Sequence, residues 1–265
     1  VRDLAVGGCG VYVLFALGWG LNYQRPRMEA RLAYAAARVT PEAAAALAHE
    51  AVTRLNDLHA QAHEALAAAG GPDAALAERF VVVQTQLGAP RTARPARPKH
   101  TLLDWYFRRV GVDGMTDPIF LETLVVSSLL PVERPFVIAH EWSHLAGYTH
   151  EGEANFVGFL TAVQGSPLDE YSAWLFLYPQ LAASVPADDR ASLRRELGDG
   201  PRADLLAIRG RVARDLSPSL SQAGWAVYDQ YLKANRVESG SASYAEVVRL
   251  LLGTSRDRAW VPQRR

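Results

Sequence analysis

The chain has 265 residues, 49% of them hydrophobic, and its 28 Lys and Arg residues balance 28 Asp and Glu residues. This length and apolar content support one good-sized folded domain with an appendage and exclude bulk disorder, and the balanced charge argues against nucleic acid as a partner. The single cysteine, Cys9, excludes an internal disulfide.

In chain order, the first element is "LAVGGCGVYVLFALGWGL", residues 4–21, which carries no charge over eighteen residues. As a helix at about 1.5 Å per residue it would be roughly 27 Å long, close to the hydrocarbon thickness of a bilayer. Trp19 and Tyr23 stand at its far end, where amphipathic rings favour the headgroup region, and Arg25, Arg27 and Arg31 follow. These features predict a transmembrane helix within residues 1–24, in a chain that starts on Val1 and reads as a fragment. A signal peptide fits less well, because no small-residue cleavage site precedes "NYQRPR". A buried helix of the domain is the remaining alternative.

Residues 29–69 read as helix, with Thr40 as N-cap, Pro41 at the first helical position and Gly70-Gly71 as the stop. His49, His59 and His63 lie within it. The last two are four residues apart, but no acidic residue stands between them, so they read as a solvated helix face. "FVVVQTQL", residues 80–87, is short and β-branched and predicts a strand. A Pro- and Arg-rich loop, 88–100, and a short helix or turn, "TLLDWYFRRVG", come next. "FLETLVVSSLL", residues 120–130, predicts a second strand, ended by Pro131. From Pro135 onward the pattern is helical. Ser166-Pro167 opens one helix with Asp169 three residues after the cap, and Gly198 and Gly200 break the run after "ASLRREL". The expected class is mainly α with a small β element, an α+β domain over residues 25–265.

The chemistry concentrates in "FVIAHEWSHLAGYTHEGEANF", residues 136–156. His140 and His144 lie one helical turn apart on one face, a spacing that lets two imidazoles take two corners of a zinc tetrahedron. Glu141 is rotated by about 100° from His140, beside the metal rather than on it. There it can take a proton from a zinc-bound water and pass it to a leaving amine. A catalytic zinc needs three protein ligands and one open position. The motif "HEWSH" has only three fixed letters and arises by chance in unrelated chains. Its apolar setting, "PFVIAHEWSHLA", makes three polar side chains costly there unless they are used.

Three residues compete to complete the site. Gly147 is placed to end the first helix in a left-handed cap, and a second helix starts near Thr149. If the two helices fold back on each other, His150, Glu151 and Glu153 all come near the metal. "HEWSHLAGYTH" matches the metzincin pattern through His150, but metzincins need a downstream methionine turn, and Met28 and Met115 both lie upstream. Glu151 has Asn155 one turn later, where its amide could support a ligand or a histidine. This is similar to the glutamate zincins, in which a ligand Glu is followed four positions on by Asp. Glu153 points about 200° away from Glu151 on an ideal helix. The reading adopted is His140, His144 and Glu151 as ligands, with Asn155 behind them.

Three blocks, "FALGWGLNYQRP", "LLPVERPFVIAHEWSHLAGYTHEGEANFVGFL" and "YDQYLKANRVESGSASYAEVVRLLL", together resemble a bacterial family of membrane-anchored, zincin-like proteins of unassigned function. The resemblance implies several N-terminal spans, of which the one seen here is the last, with the zincin domain on the extracytoplasmic side of the cell membrane. Tyr228 or Tyr231 in "YDQYLKAN" could stabilise an oxyanion, although helix packing is the simpler role for either. The expected activity is a membrane-anchored zinc metallopeptidase acting on a peptide or protein through Glu141. The alternative is a membrane-tethered sensor or assembly domain in which zinc only staples two helices.

Overall fold

Helix α3 (Pro41–Ala68) buries Ala44, Leu47, Ala48, Ala51, Val52, Leu55, Leu58 and Ala62, a spacing of three and four that makes one apolar stripe. It starts where Thr40 Oγ1 accepts the Ala43 N–H at 3.2 Å, with Pro41 in the first turn. The helix expected over 29–69 is therefore two: α2 (Met28–Arg31) is separated from α3 by residues 32–40. The computed structural model describes residues 2–68, 74–95, 97–222 and 244–265. Tyr228 and Tyr231 lie outside these.

The remaining elements follow in order. They are α4 (Ala74–Gln86), α5 (Asp104–Val110), β1 (Gly114–Thr116), β2 (Thr123–Val125), α6 (Arg134–Leu145), α7 (Glu151–Val163), α8 (Pro167–Ser184), α9 (Ala187–Glu196), α10 (Asp199–Asp215) and α11 (Tyr244–Gly253). Helix α7 is the centre. Every residue from Gly152 to Val163 is buried, and it packs against α4, α6, α8 and α11. A helix that is apolar all round has to be enclosed. On α8 the cap is reciprocal: Ser166 Oγ accepts the Asp169 N–H at 3.3 Å, and Asp169 Oδ2 accepts the Ser166 N–H at 2.9 Å. Trp174 on α8 meets Phe159 on α7 and Trp260 of the C-terminal tail edge-on, with ring centroids 5.1 to 5.5 Å apart.

Three expectations change. The stretch 80–87 belongs, except for Leu87 just past its end, to helix α4 and not to a strand. Leu76, Phe80, Val83, Gln84 and Leu87 are the buried positions, a helical spacing rather than an alternation. A short β-branched run does not separate the two states, and packing against α6 and α7 decides for helix. The stretch 120–130 holds only the three-residue strand β2. It pairs antiparallel with β1, which the pattern did not reveal, in the register Gly114↔Val125, Met115↔Leu124 and Thr116↔Thr123. Gly200 lies inside the first turn of α10 rather than in a break.

The N-terminal segment also departs from its expected form. Helix α1 (Arg2–Gly18) ends before Trp19, and a 3-10 turn (Gly20–Gln24) follows. Among the described residues no helix is long and apolar enough to cross a membrane. Trp19, expected at the headgroup level, is buried, and two of the arginines that follow the apolar run are held by the domain. Arg25 Nη1 donates to the Ala146 carbonyl at 2.7 Å, and Arg27 pairs with Glu153 and Glu246. Opposite charges hold Arg27, and an orphan helix-end carbonyl holds Arg25.

Candidate metal centre

The site is built on the α6–α7 hairpin. Helix α6 ends in a Schellman turn: the Gly147 N–H donates to the His144 carbonyl at 2.8 Å and the Tyr148 N–H to the Ser143 carbonyl at 3.1 Å. Gly147 sits at φ +85°, and a Cβ there would collide with the Arg25 guanidinium and with Asn22, so glycine serves both the turn and the arginine. The two helices then run back face to face. At Gly158 of α7 the approach is close enough that a Cβ would lie 3.0 Å from the backbone nitrogen of His140.

That approach brings Glu151 to the histidine pair. His140 Nε2 and His144 Nε2 are 3.2 Å apart, and Glu151 Oε2 lies 3.4 Å from the first and 3.6 Å from the second. A tetrahedral zinc with bonds of 2.0–2.1 Å separates neighbouring ligand atoms by about 3.3 Å. The three observed separations bracket that edge length, so the donor set fits a metal ion of this size. His144 Nδ1 lies 2.8 Å from the Tyr148 carbonyl, which can only accept. This assigns the proton to Nδ1 and leaves Nε2 as the donor atom for a cation.

Glu141 stands beside the trio. Its Oε1 is 4.0 Å from His140 Nε2, and its side chain is almost wholly buried. Strand β1 covers it. Thr116 Oγ1 donates to the Glu141 carbonyl at 2.6 Å and approaches Oε2 at 3.1 Å, and a Cβ on Gly114 would lie 2.7 Å from Glu141 Oε1. Burial pushes the Glu141 carboxyl up, against the opposing pull of His140 and His144. Burial also works against a charged His144, yet the Glu151 and Glu141 carboxylates and the Tyr148 carbonyl lift it to about 9. Partial burial pushes the Glu151 carboxyl up, but His144 and His140 outweigh it and hold Glu151 well below the usual carboxylate range. Two carboxylates around two imidazoles thus make a pocket that favours positive charge, as a proton or as a metal ion. The Glu151 side chain remains 25% exposed, so the site opens to solvent on that side.

The other two candidates for third ligand face elsewhere. Glu153 Oε1 accepts the Met28 N–H at 2.9 Å and pairs with Arg27 at 3.3 Å, which turns it toward the N-terminal segment. His150 is the N-cap residue of α7, and its ring meets Tyr23 edge-on at 6.4 Å. Burial and the nearby Arg27 lower its pKa to about 4. Asn155 is buried one turn beyond Glu151, and its Nδ2 finds no hydrogen-bond partner among the described residues; neither does His140 Nδ1. The bond expected from this amide to a ligand or a histidine is therefore not made through Nδ2.

Several contributors carried no signal in the sequence. Thr116 and Gly114 cover Glu141 from an unpredicted strand. Arg211 of α10 is buried and holds Glu133, the N-cap residue of α6, at 2.7 and 2.8 Å, together with Asp113, just ahead of β1, at 2.9 and 3.2 Å. One guanidinium thus fixes both walls of the site. A second group able to hold a metal ion, His59, His63 and Asp204, lies on the outer face of the α3–α10 packing. The acidic partner, absent between those two histidines in sequence, comes from another helix.

The chain belongs to a family described as "Protein of unknown function (DUF3810)", whose model matches residues 1–252. No curated protein and no solved structure matches it.

Proposed function

We propose that the protein is a zinc metallopeptidase of the glutamate-zincin type, with His140, His144 and Glu151 as ligands and Glu141 as general base. The observation that carries this reading is the division of labour among four side chains. Three donor atoms sit at the edge lengths of a zinc tetrahedron, and a fourth group, Glu141, stands next to them without joining the cluster. A structural zinc closes its shell with four protein ligands, whereas a catalytic one keeps a position open. Zinc, when bound, supplies a Lewis acid that brings a coordinated water to a pKa of about 7. Glu141, with its carboxyl pushed up by burial, would take a proton from the water as its oxygen bonds the peptide carbonyl carbon, and would give that proton to the amine as the C–N bond breaks. Strand β1 has only β2 as a strand neighbour among the described residues, so its other edge offers main-chain partners to an extended peptide.

The reading includes attachment to the bacterial cell membrane, with the metal centre on the extracytoplasmic side. Its support is α1, whose Val6, Tyr12, Val13 and Leu17 are exposed apolar side chains.

A second reading, a tethered sensor or assembly domain with a metal staple, is favoured by one observation. Glu141 lies under β1, close enough to Gly114 to leave little room for a substrate. The deciding experiment pairs metal content with cleavage of a peptide library for wild type and Glu141→Gln. The peptidase reading expects unchanged zinc and a loss of cleavage of at least about 100-fold. Equal cleavage by both proteins would sink it, and zinc without any cleavage in wild type would favour the staple.

A further inference from the structure

We propose that His59, His63 and Asp204 form a second, separate metal site, selective for a late first-row cation such as zinc, which clips α10 to α3. His59 and His63 are one turn apart on α3, with ring centroids 4.4 Å apart. Asp204 reaches them from α10. Its Oδ2 lies 2.9 Å from His63 Nε2 and 3.6 Å from His59 Nε2, and one donor atom from each residue falls within 4.8 Å of the other two. Two imidazoles and one carboxylate suit zinc, nickel or copper and disfavour magnesium and calcium, which prefer all-oxygen shells.

Three features distinguish this group from a surface ion pair. Tyr171 of α8 is fully buried and uses its hydroxyl to donate to Asp204 Oδ2 at 2.6 Å. A buried donor aimed at a ligand carboxylate is the usual support behind a metal site. The same ring stands edge-on to both imidazoles, at 5.8 and 6.3 Å between centroids, and so restricts their rotation. Finally, Gly200 lets the first turn of α10 lie on His59, since a Cβ there would fall 2.5 to 2.7 Å from three atoms of its ring. A carboxylate has about four lone-pair positions, so the tyrosine bond leaves Asp204 able to coordinate. His63 is 43% exposed at its side chain, which leaves solvent access for the open coordination positions of an exchangeable ion.

The placement gives the site a consequence. Helix α10 also carries Arg211, which fixes Glu133 and Asp113 at the walls of the His140 centre. An ion at His59 and His63 would therefore anchor the helix that positions the first site.

The test is zinc binding to the full chain, by titration against a chromogenic chelator, for wild type, His63→Gln and the double variant His140→Gln/His144→Gln. The expected results are about one equivalent fewer in His63→Gln than in wild type, and about one equivalent retained by the double variant. The difference between wild type and His63→Gln reports on the second site whether or not the first one loads. Equal stoichiometry in those two proteins overturns the proposal, as does a double variant that binds none. Should a variant fail to fold, the unaltered protein is treated with diethyl pyrocarbonate at saturating zinc and mapped by mass spectrometry. Protection of His59 and His63 supports the site, and equal labelling with and without zinc overturns it.

Discussion

Glu151 Oε2 lies 3.4 Å from His140 Nε2 although the two residues belong to different helices, and Glu153, two positions on, faces Arg27 instead. The two glutamates therefore have separable roles. Glu151→Gln is expected to weaken zinc binding by more than about 100-fold, since even outer-shell partners cost 10- to 100-fold. Glu153→Gln is expected to leave zinc affinity unchanged and to lower unfolding stability by about 1–3 kcal/mol, because it weakens a buried carboxylate's bonds to Met28 and Arg27. Chelator competition and urea melts read the two effects. Equal zinc affinity in Glu151→Gln and wild type would remove Glu151 from the ligand set.

Gly158 sets the spacing of the hairpin. The atoms its Cβ would meet are backbone atoms of His140 and Ala139, which cannot rotate away. Gly158→Val is expected to cost about 1–3 kcal/mol through overpacking. It should also weaken metal binding, because moving α7 away from α6 carries Glu151 with it. A variant with native stability and native zinc affinity would show that the close approach is incidental.

Arg211 joins α10 to the N-terminus of α6 and to the entry of β1. Arg211→Met keeps the volume but strands Glu133, whose side chain is only 9% exposed. A buried charge left unpaired is expensive, and the expected loss is about 3 kcal/mol. Thermal unfolding measures it, and a shift too small to resolve would mean that the network is dispensable.

Part of the acid sensitivity away from the candidate metal centre should trace to Asp104. Burial raises its carboxyl, but bonds from the Ser127 N–H and hydroxyl, at 2.6 and 2.8 Å, and the charge of Arg108 outweigh this and hold it below its ordinary value of 3.8. A depressed folded-state pKa contributes stability above the unfolded-state value and loses it as pH falls through the folded one. Asp104→Asn should therefore be less stable than wild type at pH 7, by under about 1 kcal/mol after solvent screening. The gap should close as the pH falls below 3.8. A gap that stays constant down to pH 2 would assign the effect to hydrogen bonding rather than to charge.

By itself the sequence determined what is local. Four-residue spacing places His140 and His144 on one face of α6, Gly147 carries the positive φ that ends that helix, and Ser166 with Asp169 starts α8. Each depends on residues within about one turn of each other, where backbone geometry alone sets direction. Only the tertiary structure decided the rest. It turned residues 80–86 into helix by enclosing them and aimed Glu151 rather than Glu153 or His150 at the imidazoles across the close approach at Gly158. It also supplied Asp204 to two histidines that have no acidic residue between them in the chain. These outcomes depend on how separate helices rotate and cross as their apolar faces are buried, and that is a property of the packed whole, which no short window of residues contains.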